Sequence, residues 1–485
     1  VVNRSLIQIL KRVLDPVKVV FIHHHLRQGG VTRVIDEQIQ AIRDVHDVLV
    51  ITGEAPSAAV SFPVKVIPSL SYDRDRREGT GADKTALEVM GSVRSFWGSD
   101  ADLFHVHNPT LGKNRDFIGV LKEIQRRGGR LLLQIHDFAE DGRPGNYTGE
   151  TYPENCHYAA INSRDYDILK QAGLNERGLH LIPNAVRPLH VSAHGAGQSL
   201  ILYPVRAIRR KNIGEALLLS HFIAEQKRIA ITLEPTSALD IKSYKAWMSF
   251  AAREGLPVLF GVGKEKRFEQ LLARAHCILT TSIKEGFGLA FLESWMGNRP
   301  LVGRLLPDIC ADFIQRGLRL NHLYTGLFVP LKLIDYNRFG SKWERCYRRR
   351  LELYGLEVDD TAIRNYLKGI QNRGSLDFGE LSEDQQMHVI SLVKHSSRER
   401  EALMDVNPFL REGCGSGDWD DLVSYNRGVV SREYSAHRNR ERLLQIYERV
   451  ESVTPRQRIR GEKLLNLFNS PEASRLLLSD YSYDE

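Results

Sequence analysis

The stretch Glu285-Gly-Phe-Gly-Leu-Ala-Phe-Leu-Glu293 sets two carboxylates on either side of a glycine-rich turn. An apolar run, Cys277-Ile-Leu-Thr-Thr-Ser282, precedes it, and an amphipathic run through Trp295 follows. A strand, a glycine turn and a helix start, in that order, present free backbone N–H groups beside a carboxylate. Such a combination suits a ligand with an anionic end and a hydroxyl-rich end, which describes a nucleotide sugar. Upstream, Arg206-Ala-Ile-Arg-Arg-Lys-Asn212 gathers cations just before a helical run that Asn212 is placed to cap. A helix N-terminus carries partial positive charge, so each cation there is disfavoured by roughly 0.3–1 kcal/mol unless an anion reverses the sign. Two readings stand for this segment: a diphosphate clamp, or a solvated basic turn with Arg209 and Arg210 in water.

Further polar residues cluster in the first half of the chain. Gly29-Gly30 lets backbone approach a phosphate or sugar closely, although paired glycines also make ordinary turns and this is not a full dinucleotide fingerprint. His23-His24-His25 invites a metal reading, but neighbours at a strand end point to alternate faces and do not readily converge on one ion. No metal site is expected there. His136-Asp137 puts an imidazole beside a carboxylate, where it can hydrogen-bond a sugar hydroxyl or an acceptor, or serve as a satisfied structural histidine. The polar loop 136–147 that follows is suited to line an acceptor pocket.

The elements that must position these residues can be read from the periodicity. Short β-rich apolar runs at 17–24, 47–52, 64–67, 103–107, 130–136, 158–162 and 179–182 alternate with helical patterns such as 31–43, 113–127 and 163–171. That alternation predicts a parallel sheet covered by helices. A small, polar, aperiodic stretch at 187–198 reads as a linker. Alternation resumes with strands at 199–205, 229–233, 258–262, 277–282 and 300–302. Beyond 331 the chain turns charged and mostly helical, with polar breaks at 372–375 and 412–418. A last amphipathic segment at 439–449 carries Leu443, Leu444, Ile446 and Tyr447 on one side and is free to return to either domain. The expected divisions are 1–187 and 199–330, two α/β units in tandem, and a helical extension over 331–485. Nearly every polar cluster follows a candidate strand, and ligands of open parallel sheets sit beyond the carboxyl ends of the strands. Two sheets with those ends facing each other would define one shared cleft.

Composition narrows the function classes. Hydrophobic residues are 42% and charged residues 26% of the 485, an ordinary globular balance. Five scattered cysteines, Cys156, Cys277, Cys310, Cys346 and Cys414, give neither metal-ligand spacing nor a disulfide framework, so a cytoplasmic setting is expected. Neither a signal peptide nor an apolar run of roughly 20 residues is visible. The net charge of +7 permits contact with phosphates, but no zinc finger, RNA-binding signature or strongly basic helix points to nucleic acid.

Taken in order, these residues resemble retaining nucleotide-sugar glycosyltransferases of the large family 4, which have two facing Rossmann-like domains, the GT-B architecture. The matching positions are Gly29-Gly30, His107-Asn108, His136-Asp137, Asn162-Ser163, Pro183-Asn184-Ala185-Val186, Arg206 with Lys211, Glu285-Gly-Phe-Gly-Leu and Glu293. The resemblance covers about 17–330, with a tail near 434–450 similar to the family's returning helix. Two places depart from it: Val205 stands where that family has glycine before the arginine, and Leu233-Glu-Pro-Thr236 stands where it has Gly-x-Gly-Pro.

The resemblance implies an α/β fold of two facing Rossmann-like domains with an added, mostly helical C-terminal region. It implies that the first domain takes the acceptor and the second the nucleotide sugar. Arg206 and Lys211 would hold the diphosphate, and Glu285 would face the donor sugar. The amides of Gly286, Phe287, Gly288 and Leu289 would contact sugar or phosphate, and Glu293 the ribose. His136 would sit near the reacting sugar, Gly29 and Gly30 beside the diphosphate, and His107, Asn108 and Asp137 on the acceptor side. The implied activity is retaining, metal-independent hexose transfer to a small polar or phosphorylated acceptor, with no cofactor beyond the nucleotide-sugar substrate. Oligomeric state is left open. A membrane version acting on a lipid or envelope precursor would need an exposed basic-apolar helix, for which 5–14 is a weak candidate. From other classes, an epimerase or a nucleotide-sugar-binding protein would share the fold.

Overall fold

Residues 16–75, 81–189, 199–413, 417 and 419–479 are described in a computed structural model of the chain. The segment 5–14, most of the 187–198 linker, Cys414 and much of the 412–418 break lie outside the described residues. The chain divides into one unit of Val1–Ala185 with Tyr434–Phe468 and a second of Val186–Glu433 with Asn469–Glu485.

In the first unit, β1 (Lys18–His23), β2 (Asp47–Thr52), β3 (Val64–Val66), β4 (Leu103–His107), β5 (Leu131–Ile135), β6 (His157–Ala160) and β7 (Leu179–Leu181) form one sheet in the order β3-β2-β1-β4-β5-β6-β7. Every pairing is parallel. Helices α1 (Gly30–Ile42), α2 (Ala82–Trp97), α3 (Phe117–Arg126) and α4 (Ser163–Gln171) make the crossovers. Strands covered on both faces need continuous apolar runs, as Val19, Val20, Phe21 and Ile22 of β1 show by being almost wholly buried. Helix α3 buries Phe117, Ile118, Val120, Leu121 and Ile124 along one face, and Asn162 caps α4 by accepting a 2.7 Å bond from the Asp165 amide. The sheet order reverses at β1, whose carboxyl end lies between those of β2 and β4. That is the switch point where ligands settle in open α/β sheets.

The second unit repeats the plan with β8 (Leu200–Arg206), α5 (Ile213–Leu219), β9 (Arg228–Leu233), α6 (Ala238–Arg253), β10 (Val258–Leu259), α7 (Phe268–Arg274), β11 (Ala275–Thr280), α8 (Ala290–Met296), β12 (Leu301–Gly303) and α9 (Pro307–Gln315). Its parallel sheet runs β10-β9-β8-β11-β12. Pro204 interrupts β8, and the pairing with β9 shifts register between Tyr203 and Arg206, so the end of the strand leaves the regular ladder.

The chain continues with β13 (Phe328–Pro330), α10 (Tyr336–Tyr354), α11 (Asp360–Arg373), β14 (Ser375–Asp377), α12 (Glu383–His395), α13 (Ser397–Val406) and α14 (Asp420–Glu433). The antiparallel β13–β14 pair is absent from the sequence reading, which saw only helix and breaks there. Trp343, Ile370, Phe378, Val389 and Leu403 of this region share one hydrophobic cluster with Ile201, Leu217 and Ile231 of the sheet layer. A buried polar node joins them: Arg304 beyond β12 bonds Glu215 of α5 and Asp377 of β14, and Tyr324 donates to Glu215 at 2.7 Å.

Helices α15 (Ala436–Ser452) and α16 (Gly461–Phe468) belong to the first unit, and α17 (Leu476–Ser479) to the second. Leu443, Ile446, Tyr447 and Val450 of α15 pack with Phe21, Ile35, Ile39 and Ile42, so the amphipathic face foreseen at 439–449 is spent on the first unit.

Candidate active site

In the second unit the basic segment and the glycine-rich turn meet. Residues Arg209–Lys211 form a short 3-10 turn after β8, and Ile283 donates its amide to the Arg210 carbonyl at 2.9 Å. Thr281 Oγ1 donates to the carbonyls of Lys211 at 3.1 Å and Asn212 at 3.0 Å. Tyr203 Oη donates to the Lys211 carbonyl and accepts from the Thr281 amide at 3.3 Å. The loops after β8 and β11 are thereby tied together through main-chain atoms, and the Lys211 ammonium meets the Glu285 carboxylate. Both side chains are largely enclosed, at 15% and 10% exposure. Burial pulls the Lys211 pKa below its usual value, with Glu285 holding back part of the drop. Burial opposes ionisation of Glu285, but Lys211 and Arg210 outweigh it and hold the carboxyl below the ordinary range. The result is an anion neutralised by one cation with a second close by.

Other members of the basic segment stand differently. Arg209 and Arg210 are half-buried, so the reading of a basic turn open to water does not describe them. Arg206 is exposed, and its guanidinium donates to the Glu234 carbonyl at 3.1 Å. The structure therefore brings Lys211 to Glu285, while Arg206 turns to the end of β9. The expected cap is corrected: Asn212 adopts a left-handed conformation (φ 49°, ψ 54°) and its side chain makes no capping bond. Its amide instead donates to Glu215 at 2.7 Å, and its carbonyl oxygen accepts from Gln386 at 3.0 Å. The side-chain oxygen that would have accepted a first-turn amide is taken by Gln386, and Glu215 takes the side-chain nitrogen.

The turn after Glu285 is shaped by packing. Gly288 has φ 82°, and a Cβ there would lie 2.9 Å from Phe291 Cδ2, so both backbone and space require glycine. Phe287 is buried, edge-on to Phe313 at 5.6 Å, which leaves only its main chain for a ligand. Leu289 immediately precedes α8, and Gly286 and Glu293 are half-buried, Glu293 in the first turn of the helix.

The first unit gathers its own cluster at the carboxyl ends of β1, β4 and β5. His107 Nδ1 lies 3.0 Å from His136 Nε2 with the rings stacked, and His23 Nδ1 donates to the His107 carbonyl at 3.1 Å. Asn108, left-handed at φ 58°, accepts the amide of Asp137 at 2.9 Å and that of His136 at 3.3 Å, which fixes the start of the loop after β5. Burial drives His136 down to about 4 and His107 well below its normal value, so both rings are neutral near pH 7. The Asp137 carboxylate is held by Arg143 at 2.6 Å. Gly29 and Gly30 are exposed where α1 begins, and no protein atom lies within 4 Å of a Cβ placed on Gly30. Within the triple histidine, His24 is a core residue that donates to the Leu70 carbonyl at 2.7 Å and lies 4.5 Å from the Phe117 ring. Among the described residues no group of three His, Cys, Asp or Glu is arranged to hold a metal ion.

Sequence reasoning missed Tyr203 and Thr281, the residues that lock the two loops together. Their signal was weak: each lies in an apolar strand run, where a hydroxyl is easily read as ordinary core.

No family model matches the chain. A relative of known activity is the mannosylglucosyl-3-phosphoglycerate synthase of Petrotoga mobilis (strain DSM 10674 / SJ95), 26% identical over 366 residues, or 66% of this chain and 71% of that protein. Among solved structures, Anabaena HepE in complex with UDP and glucose is similar at a TM-score of 0.53 and 13% identity, over 90% of this chain and 100% of HepE. Sucrose-phosphate synthase from Thermosynechococcus elongatus is similar at a TM-score of 0.52 and 12% identity, over 89% of this chain and 98% of that one. These likenesses show the fold: an α/β chain of two Rossmann-like units in the GT-B class, with extra helices toward the C-terminus.

Proposed function

We propose that the chain is a retaining, metal-independent glycosyltransferase that moves a hexose from a nucleotide-diphosphate sugar to a hydroxyl of a small phosphorylated acceptor. The observation that carries this reading is the enclosed Lys211–Glu285 pair, with Arg210 nearby, at the carboxyl end of the second sheet. Two supports come from the comparisons. HepE, which shares the fold, binds UDP and glucose, and the Petrotoga relative is named for making a glycoside of 3-phosphoglycerate. By that likeness the acceptor here is a phosphorylated glyceric acid or its glycoside.

In the proposed reaction the bond from sugar C1 to the diphosphate oxygen breaks, and its electron pair stays on the departing phosphate. Lys211 stabilises that charge as it develops, joined by Arg206 once its exposed guanidinium leaves the Glu234 carbonyl, which lowers the barrier more than equal binding of substrate and transition state would. The acceptor oxygen bonds to C1 from the face the diphosphate leaves, and its proton passes to the departing phosphate oxygen. Glu285 orients the sugar hydroxyls from inside its ion pair, and the Gly286–Leu289 main chain and Glu293 hold the rest of the donor. A neutral His136 donates a hydrogen bond toward the sugar, while His107, Asn108 and Asp137 shape the acceptor side and Gly29 and Gly30 allow close approach. Cationic side chains supply the charge that a metal would otherwise bring.

The test uses purified protein, a panel of nucleotide sugars, and 3-phosphoglycerate or its glucoside as acceptor, with nucleoside diphosphate release as the readout. Lys211→Ala and Glu285→Ala are each expected to lower turnover by about 10²–10³-fold. Chelation by EDTA should leave the rate unchanged, and NMR of the product should show the donor's anomeric configuration. Full activity in both variants overturns the site assignment. An EDTA-sensitive rate or an inverted product overturns the mechanism.

A further inference from the structure

Between α15 and α16 the first unit carries an extended strap, Val453 to Arg460, in which burial alternates strictly. Pro455, Gln457 and Ile459 face inward, and Arg456, Arg458 and Arg460 face outward. Alternation is what extended backbone gives, so the arginines share one side. The strap is firmly seated. The Gln457 amide donates to Asn155 Oδ1 at 3.1 Å, the Asn155 amide donates to the Gln457 carbonyl at 2.9 Å, and Gln457 Nε2 donates to the Cys156 carbonyl at 2.7 Å. Gln457 Oε1 accepts the Asn175 amide at 3.0 Å, and the Arg460 amide donates to the Ala172 carbonyl at 2.8 Å. Gly173 has φ 123°, and a Cβ there would come within 2.7 Å of the Arg458 carbonyl, so the strap presses directly on main chain.

The three arginines, with Glu154, Asn155 and Gly173, line a cavity of about 420 Å³. No ion pair of the three guanidinium groups occurs among the described residues. Alternate residues of an extended segment are about 7 Å apart, inside the screening length of roughly 8–10 Å, so these like charges repel one another. Glu154 is the one carboxylate among the residues that line the cavity. A phosphate would reverse the balance, because guanidinium forks match its oxygens and the strap fixes the main chain that carries them. The loops concerned precede β6 and β7, at the amino ends of the strands, whereas His107 and His136 lie at the carboxyl ends. The cavity is thus separate from the histidine cluster.

We propose that this arginine-lined cavity is a second anion site that binds a phosphate group, carried by a soluble phosphorylated compound or by a lipid headgroup. The whole protein is treated with phenylglyoxal, and modification of Arg456, Arg458 and Arg460 is read by peptide mapping. The arms are buffer alone, sodium pyrophosphate, phosphatidylglycerol vesicles and phosphatidylcholine vesicles. A ligand at about ten times its dissociation constant should slow modification about tenfold, since only empty sites react. Protection by pyrophosphate assigns a soluble ligand. Protection by phosphatidylglycerol vesicles, without protection by pyrophosphate or phosphatidylcholine, assigns a headgroup. Because pyrophosphate also fits the proposed donor site, the variant Arg456→Ala/Arg458→Ala/Arg460→Ala, with thermal melting checked, is compared calorimetrically with Lys211→Ala. Where pyrophosphate protects, the first should lose one class of pyrophosphate binding that the second retains. Equal modification in every arm, with the triple variant binding like wild type, overturns the proposal.

Discussion

At Glu140 burial and hydrogen bonding leave a carboxyl almost sealed from water, at 1% exposure, bonded to Tyr152 Oη at 2.8 Å. Burial pushes its pKa up to about 7. The folded state therefore binds this proton more tightly than the unfolded chain does. Its contribution to stability is fully present below the ordinary glutamate value and is lost as pH rises through about 7. Glu140→Gln is expected to gain on the order of 3 kcal/mol over wild type at pH 8, and nothing comparable at pH 4, in urea unfolding followed by tryptophan fluorescence. The Lys211–Glu285 pair has the opposite logic, since each charge there is sustained by the other. At Gly30, where no protein atom opposes a Cβ, Gly30→Ala should leave thermal stability within about 1 kcal/mol of wild type. Under the proposed function it should weaken nucleotide-sugar binding, measured by calorimetry.

Every strand of both sheets overlaps a run readable in the sequence, most plainly the central ones such as β1 and β4, because strands covered on both faces cannot hide their composition. The carboxyl-end rule likewise singles out the loops after β8 and β11, which the structure brings together at Lys211 and Glu285. What escaped reading is what depends on a partner far along the chain. The β13–β14 pair joins residues near 329 and 376, and neither short strand shows an alternation of its own. Asn212 loses its capping role to Glu215 and Gln386, a competition that no local pattern encodes. The destination of α15 was undecidable from its amphipathic face, because any apolar surface would accept it. In the structure Tyr447 is buried among first-unit residues, and its hydroxyl lies 2.9 Å from His105 Nδ1. Tyr447→Ala should destabilise the first unit by about 3–5 kcal/mol, whereas Tyr447→Phe should cost only about 0.5–1.5 kcal/mol, by calorimetric melting.

Across the molecule, buried histidines concentrate in the first unit. Burial lowers His24 and His136 to about 4 and His105 to about 3, and pulls His23 and His107 far down as well. A histidine whose folded pKa is depressed stabilises the fold fully above about 6.5, and that stability drains away as pH falls toward the folded value. The first unit should therefore unfold on mild acidification, between about pH 6 and 4. Hydrogen exchange across that range should show amides of β1, β4 and β5 losing protection before those of β8, β9 and β11. Equal loss in both sheets would contradict this account.

The path of the chain carries a further consequence. It leaves the first unit after Ala185, builds the second through Glu433, and only then returns with Tyr434–Phe468. During synthesis the earliest sheet emerges from the ribosome without the helix that covers Ile35 and Ile39 and meets His105. The nascent first unit must wait, with that surface bare, until Tyr434–Phe468 has been made. A chain stalled after Glu433 should accordingly recruit hydrophobic-binding chaperones and be clipped by protease within α1, and release of the remaining residues should end both.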